Sequence, residues 1–164
     1  MISVTDRIEK RVHLQAPRER VWQALSRSAE FGRWFGMEVD GEFRPNTTVK
    51  ARVVPTSVDA EAAAAQKPYE GMPVVLFVER VEPMRALSFR WHPYPPESAD
   101  DAVPTTLVVF ELEEVDGGGT LLTVSESGFD RIPIERRAKA FAENEGGWEM
   151  QTKLIARYLE HADE

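Results

Sequence analysis

The sequence of 164 residues predicts an α+β fold in which a curved antiparallel β-sheet packs against one long C-terminal helix. Five segments in the middle of the chain alternate apolar and polar residues, the period-two pattern of strands with one buried face. From Ile134 onward, apolar residues instead recur every three or four positions, as on one face of a helix. Because both surfaces need burial, we expect the helix to lie across the sheet.

The chain begins with a predicted strand over 8–14, in which Lys10 falls in phase with the apolar residues. Pro17 is a favoured opening residue of a helix, because its missing N–H would have no partner there. Ser28 is a suitable N-cap for a second short helix, and Gly36 is a suitable end for it.

The middle of the chain is rich in predicted strands, and the glycines at 117–119 predict a hairpin between the last two. The alanine run after Asp59 predicts one or two turns of helix in a surface loop, and the proline-rich segment 92–104 predicts a second loop. The predicted strands cover residues 49–54, 74–81, 87–92, 105–114 and 120–127.

The helical pattern at the C-terminus contains an unexpected pair, Gly146 and Gly147. Each should weaken a helix interior by roughly 1 kcal/mol relative to alanine. Two interpretations are open: a kink that shapes one bent helix, or a second helix that begins near Asn144. The continuity of phase across the pair favours one bent helix. The predicted inward stripe consists of Ile134, Ala138, Phe141, Glu145, Trp148, Thr152, Ile155 and Leu159.

Composition excludes several classes of function. A net charge of −8 argues against binding of nucleic acid or anionic membranes, which requires clustered Lys and Arg. The chain has no cysteine, and no segment has the roughly 20 apolar residues needed to span a membrane. We therefore expect one cytoplasmic domain over residues 1–164, as a monomer or homodimer without membrane insertion.

The segments APRERVWQAL, FGRWFG, VEPMRALSFRW, LLTVSESGF and NEGGWEMQ, in this order, resemble the START-like (SRPBCC) helix-grip superfamily. Within it, the chain is most similar to the branch named after the activator of the ninety-kilodalton heat-shock chaperone's ATPase. The resemblance implies a hydrophobic cavity between the sheet and the C-terminal helix. It supplies no shared catalytic motif.

Three charged residues fall in phase with the core, and each has two interpretations. Lys10, Glu126 and Glu145 could line the cavity and orient the polar end of an apolar ligand, since a buried charge is costly unless it is paired. Alternatively, Lys10 extends to water, Glu126 accepts hydrogen bonds from turn amides, and Glu145 turns sideways.

Aromatic residues are the other candidate lining, although we expect at least half of them to be ordinary core residues. Trp91 and Tyr94 are favoured because they lie at a strand end beside the proline-rich loop. Trp34 and Phe35 follow, since the resemblance places the second short helix near the cavity mouth. The remaining aromatic candidates are Phe77, Phe89, Phe141 and Trp148.

No catalytic residue, cofactor motif or metal-ligand spacing is recognisable in the sequence. The cavity that the resemblance implies predicts binding of an apolar or amphipathic small molecule between the sheet and the helix. Two alternatives stay open: a polyketide-cyclase-type enzyme in which Glu126 or Glu145 moves a proton, and a chaperone-associated stress protein, as the branch name suggests.

Overall fold

The computed structural model describes residues 7–94 and 103–161, which form one seven-stranded antiparallel sheet and four α-helices. The strands are β1 (Arg7–Leu14), β2 (Met37–Asp40), β3 (Thr47–Val53), β4 (Pro73–Glu82), β5 (Ala86–Trp91), β6 (Thr106–Glu114) and β7 (Thr120–Ser127). The helices are α1 (Arg18–Ser26), α2 (Ser28–Phe35), α3 (Ala60–Gln66) and α4 (Ile134–His161).

The spatial order of the strands is β1-β7-β6-β5-β4-β3-β2, so the first strand pairs with the last one. The predicted α+β architecture is confirmed, and each predicted strand agrees with the structure to within two residues at either end. Sequence analysis missed β2, whose four residues are too short to show a clear alternation. The middle of the predicted loop 92–104 lies outside the described residues.

The inner face of the sheet is apolar and packs against α4. Alternate residues of the central strands are almost completely buried, as the period of two requires. Burial of each such side chain stabilises the fold by about 1.5–3 kcal/mol. These residues are Leu76, Val78, Leu87, Phe89, Val108, Phe110, Leu122 and Val124.

The C-terminus of α2 is held by two glutamines from different parts of the chain. Gly36 ends the helix with a φ of 101°, a conformation that glycine adopts without strain. The preceding carbonyl, that of Phe35, lacks a partner within the helix. It accepts hydrogen bonds from Gln66 Nε2 at 3.0 Å and from Gln151 Nε2 at 2.9 Å.

One continuous helix, α4, passes through Gly146 and Gly147, so the interpretation with a second helix is wrong. A Cβ atom added at either glycine would meet no atom within 4 Å. Neither glycine is therefore required by close packing.

The predicted stripe on α4 is correct only in its second half. Trp148, Ile155 and Leu159 are buried, whereas Ile134 is 78% exposed and Ala138 is also exposed. The buried face instead begins at Ala140 and includes Gln151 and Leu154.

The C-terminal part of α4 is attached to α1 and α2 through Glu30. Tyr158 Oη donates to Glu30 Oε1 at 2.7 Å, and Arg20 Nη1 lies 2.8 Å from the same oxygen. Burial alone would raise the pKa of Glu30, but the hydrogen bond from Tyr158, the ion pair with Arg20 and the charge of Arg27 outweigh it. The pKa of Glu30 is therefore below its ordinary value.

The first prediction concerns the glycine pair. Gly146→Ala and Gly147→Ala should each increase the free energy of unfolding by about 1 kcal/mol, because the methyl group has room and alanine favours helix. Urea denaturation of each variant measures this gain. Gly36→Ala is the contrasting control: its Cβ would lie 2.4 Å from Gln66 Oε1 at a positive φ, so it should destabilise the fold. A loss of stability in both helical variants would show that the glycines are structurally required.

The second prediction concerns Glu30 and pH. A carboxyl group with a lowered pKa in the folded state stabilises the fold above its unfolded pKa, and this stability is lost as pH falls through the folded value. Glu30→Gln should cost about 2 kcal/mol near pH 7, since hydrogen bonds to a charged group are lost. The difference from wild type should shrink as the pH falls below the ordinary glutamate value of 4.5. Glu160→Gln, at an exposed position of α4, is the control, and a pH-independent difference for Glu30→Gln would contradict the account.

Candidate functional site

The candidate site is built around Glu126, a completely buried carboxylate on β7. Two sheet residues donate to its Oε2 atom: Trp91 through Nε1 at 2.8 Å, and Thr106 through its hydroxyl. Two residues of α4 complete the set. Trp148 Nε1 donates to Oε1 at 2.9 Å, and Asn144 Nδ2 lies 3.1 Å from both oxygens.

The positions of these donors follow from strand register and helix periodicity. Trp91 is the last residue of β5 and Thr106 is the first of β6, and the two are cross-strand partners. Glu126 pairs with Val108, two residues further along β6 and on the same face as Thr106. Asn144 and Trp148 are four residues apart on α4, so they project from one face. The carboxylate therefore connects three strands to the long helix.

All the donors to Glu126 are neutral, and none of the described lysine or arginine residues forms an ion pair with it. A buried carboxylate without hydrogen bonds would be strongly unfavourable. The two indole N–H groups can only donate, and the threonine hydroxyl and asparagine amide donate as well, so they satisfy the carboxylate as an acceptor. Hydrogen bonds thus replace the water that burial removes.

Aromatic rings surround this carboxylate in a group that we call the aromatic cluster: Phe35, Phe89, Trp91, Phe110 and Trp148. The Trp91 and Trp148 rings lie 5.7 Å apart between centroids, and the Phe35 ring lies 5.9 Å from each of them. Phe89 contacts Trp91 at 5.4 Å, and Phe110 contacts Trp148 at 5.8 Å. The cluster occupies the place between sheet and helix where the resemblance implies a cavity.

Of the three charged candidates, only Glu126 lies inside the protein. Lys10 is in the expected phase, but its side chain reaches the surface and pairs with Glu149 of α4 at 3.0 Å. Glu145 is exposed, so the expectation that it faces the interior is wrong. Asn144, the preceding residue on the helix, takes the inward position.

The aromatic candidates outside the cluster have other environments. Phe77 was expected to face the interior, but Leu76 and Val78 do so instead, and Phe77 contacts His92 at 6.1 Å on the outer face. Trp34 is 1% exposed and donates to the Ala24 carbonyl, so it joins α1 to α2 and does not lie at a cavity mouth.

The remaining two aromatic candidates lie near the start of α4. The Tyr94 ring is covered by the Arg136 guanidinium, whose carbon lies 4.1 Å from the ring centroid. Phe141 is half-buried and contacts Phe129 at 5.3 Å. Neither side chain is among the hydrogen-bond donors to Glu126.

Sequence analysis missed two of the donors, Thr106 and Asn144. Thr106 begins a strand, and Asn144 was considered only as a helix cap. The inward phase of Trp148 could have identified Asn144, because residues four apart share a helix face. Nothing comparable in the local sequence marks Thr106, whose role depends on its register with β5 and β7.

Three surface grooves lie away from this site. One is on the outer face of the sheet beside Arg80 and Glu111, one lies along β2 and β3, and one lies between α2 and β2. Residues 7–94 and 103–161 contain no group of three His, Cys, Asp or Glu side chains that could hold a metal ion. Within the same residues, no helix is long and apolar enough to cross a membrane.

A curved antiparallel sheet packed against a long C-terminal helix, with short helices after the first strand, is the START-like helix-grip arrangement. Residues 15–160 match the family described as "Activator of Hsp90 ATPase homolog 1-like protein", and the chain belongs to this family. A comparison with curated proteins finds no match.

Several solved structures share the fold. DynU16, from the dynemicin biosynthetic locus, is 23% identical with a TM-score of 0.68; the match covers 96% of this chain but only 48% of DynU16. MLL2253 from Mesorhizobium loti is 21% identical with a TM-score of 0.69, and the match covers 94% of this chain and 96% of MLL2253. The Aha1 dimer from Colwellia psychrerythraea is 19% identical with a TM-score of 0.66, over 94% of this chain and 96% of the other.

The third prediction tests the role of Glu126 in stability. Glu126→Gln should lower the free energy of unfolding by about 2–3 kcal/mol, because the new NH₂ group faces donors and leaves them unsatisfied. Glu145→Gln is the matched control at an exposed position of α4, and its effect should stay within about 0.5 kcal/mol. Both are measured by urea denaturation. Equal stability of the two variants would show that the hydrogen bonds to Glu126 make no net contribution.

Proposed function

We propose that this protein binds a small amphipathic molecule between the sheet and α4, beside Glu126. The observation that supports the proposal is a fully buried carboxylate with neutral donors only. Net stability alone does not require this group, since an apolar residue in its place would avoid the desolvation cost. A small number of polar groups in mostly apolar surroundings is typical of small-molecule binding sites.

Trp91 is the member of the aromatic cluster that a ligand can reach from solvent. It is partly exposed at the end of β5, whereas Phe89, Phe110 and Trp148 are at most 3% exposed. The ring also donates to Glu126. A ligand that displaces the Trp91 ring would therefore reach both the apolar rings and an acceptor oxygen of the carboxylate.

An enzyme of the polyketide-cyclase type is the second candidate. One structural neighbour favours it: DynU16, which belongs to a biosynthetic locus. In such a reaction Glu126 would accept a proton from the substrate. The carboxylate oxygens already accept from four side chains, so one of these hydrogen bonds would first have to break. Binding without proton transfer needs no such step, and we therefore place it first.

The fourth prediction tests binding with N-phenyl-1-naphthylamine, a neutral aromatic compound with one N–H group. Its fluorescence should rise in a saturable way on addition of the protein, because the probe enters an apolar site. In NMR spectra, the indole N–H signals of Trp91 and Trp148 should shift, since both groups contact Glu126. The indole of Trp22, a half-buried residue of α1 outside the aromatic cluster, is the internal control.

Two outcomes would contradict the proposed function. The first is the absence of saturable binding of this probe. The second is saturable binding that leaves the Trp91 and Trp148 signals in place, which would locate the probe elsewhere. Substrate turnover that Glu126→Gln abolishes would instead favour the enzyme.

A further inference from the structure

Gln151 is a buried polar residue whose side-chain nitrogen has a hydrogen-bond partner and whose side-chain oxygen has none. It lies on α4 and is 7% exposed. Its Nε2 atom donates to the Phe35 carbonyl at 2.9 Å. Its Oε1 atom is fully buried and accepts no hydrogen bond from any residue that the structure describes. Such an acceptor costs stability unless a donor reaches it.

The orientation of this amide is fixed by its partner. The Phe35 carbonyl can only accept, so the NH₂ group must face it and the side-chain oxygen must face away. Gln66 provides a comparison within the same chain. It donates to the same carbonyl at 3.0 Å, but its own Oε1 accepts from the Thr56 backbone N–H at 2.8 Å. Both polar atoms of the Gln66 side chain therefore have partners near the end of α2, whereas only the nitrogen of the Gln151 side chain has one.

Gln151 lies on the same face of α4 as the residues that bind Glu126. Asn144, Trp148 and Gln151 are spaced by four and three positions, the spacing of one helix face. The Phe35 ring contacts Trp148 and Trp91 at 5.9 Å each. The Gln151 side chain therefore lies on the face of α4 that carries Trp148, roughly one helical turn from the Glu126 hydrogen bonds.

We propose that Gln151 Oε1 is a second polar contact for the bound molecule, and that this molecule is an aromatic compound with a hydroxyl or N–H group. This inference rests on the proposed function. The rings around the site favour a planar aromatic body through edge and stacked contacts. Among the described residues of α4, the fully buried side-chain atom that has no hydrogen bond is this acceptor, so it selects a donor group.

The test compares 2-naphthol with 2-methylnaphthalene, which have nearly the same shape but differ in one hydroxyl group. Wild type should bind 2-naphthol about fivefold more tightly, the factor expected for one net hydrogen bond. Gln151→Met should reduce this preference to about onefold and leave the affinity for 2-methylnaphthalene within about twofold of wild type. Titration calorimetry gives both affinities.

Gln66→Met is the matched control, because it removes the other amide that holds the Phe35 carbonyl. It should keep the preference for 2-naphthol. A measurement on wild type alone covers the case in which Gln151→Met fails to fold: the side-chain amide signals of Gln151 should shift more with 2-naphthol than with 2-methylnaphthalene.

The outcomes separate this inference from the proposed function. If both compounds bind at the Trp91 and Trp148 indoles with equal affinity, the proposed function stands and the role of Gln151 is overturned. Equal loss of the preference in the two glutamine variants would likewise overturn it, since both would act only by holding α2. If neither compound binds, the proposed function and this inference both fail.

Discussion

The attachment of the long helix to the sheet depends on hydrogen bonds to one buried carboxylate. Glu126 accepts from Trp91 and Thr106 in the sheet and from Asn144 and Trp148 on α4. Apolar packing alone does not specify a unique register between a helix and a sheet, because hydrophobic contacts are non-directional. Hydrogen bonds are directional, and a slip of α4 by one residue would leave the carboxylate without two of its donors. The carboxylate thus favours one position of α4 on the sheet over other positions that would bury a similar apolar area.

The same carboxylate determines the character of the interior around it. Two of its donors are indoles, so the groups that satisfy Glu126 also bring large rings into the space between sheet and helix. Phe35 from α2 then packs against both indoles. The hydrogen bonding of Glu126 and the packing of the rings are consequently coupled. Displacement of one indole would leave a Glu126 oxygen without its donor and open apolar volume at the same position. A molecule with an apolar body and a donor group matches both changes.

Glu126 could be identified from the sequence because a strand has a period of two, and its phase survives small errors in the strand ends. The helix was less predictable. The stripe was drawn through Ile134 and Glu145, but the inward residues there are Ala140 and Asn144, and inward polar residues give no hydropathy signal. An error of one residue on a helix rotates the assigned face by about 100°. Thr106 could not be found at all, because its contact depends on long-range register.

Fold stability and the proposed ligand binding involve overlapping residues in this protein. Gln151 holds the end of α2 with one half of its amide and leaves the other half unsatisfied, and Trp91 satisfies Glu126 while remaining partly exposed. Within the protein alone, Gln151 therefore lacks a donor for its side-chain oxygen, and Trp91 lacks full burial. A ligand that supplies what is missing binds the folded state and not the unfolded chain, so it raises the free energy of unfolding in proportion to the logarithm of its concentration above Kd. The incomplete hydrogen bonding of Gln151 and the partial exposure of Trp91 are thus what the proposed ligand would complete.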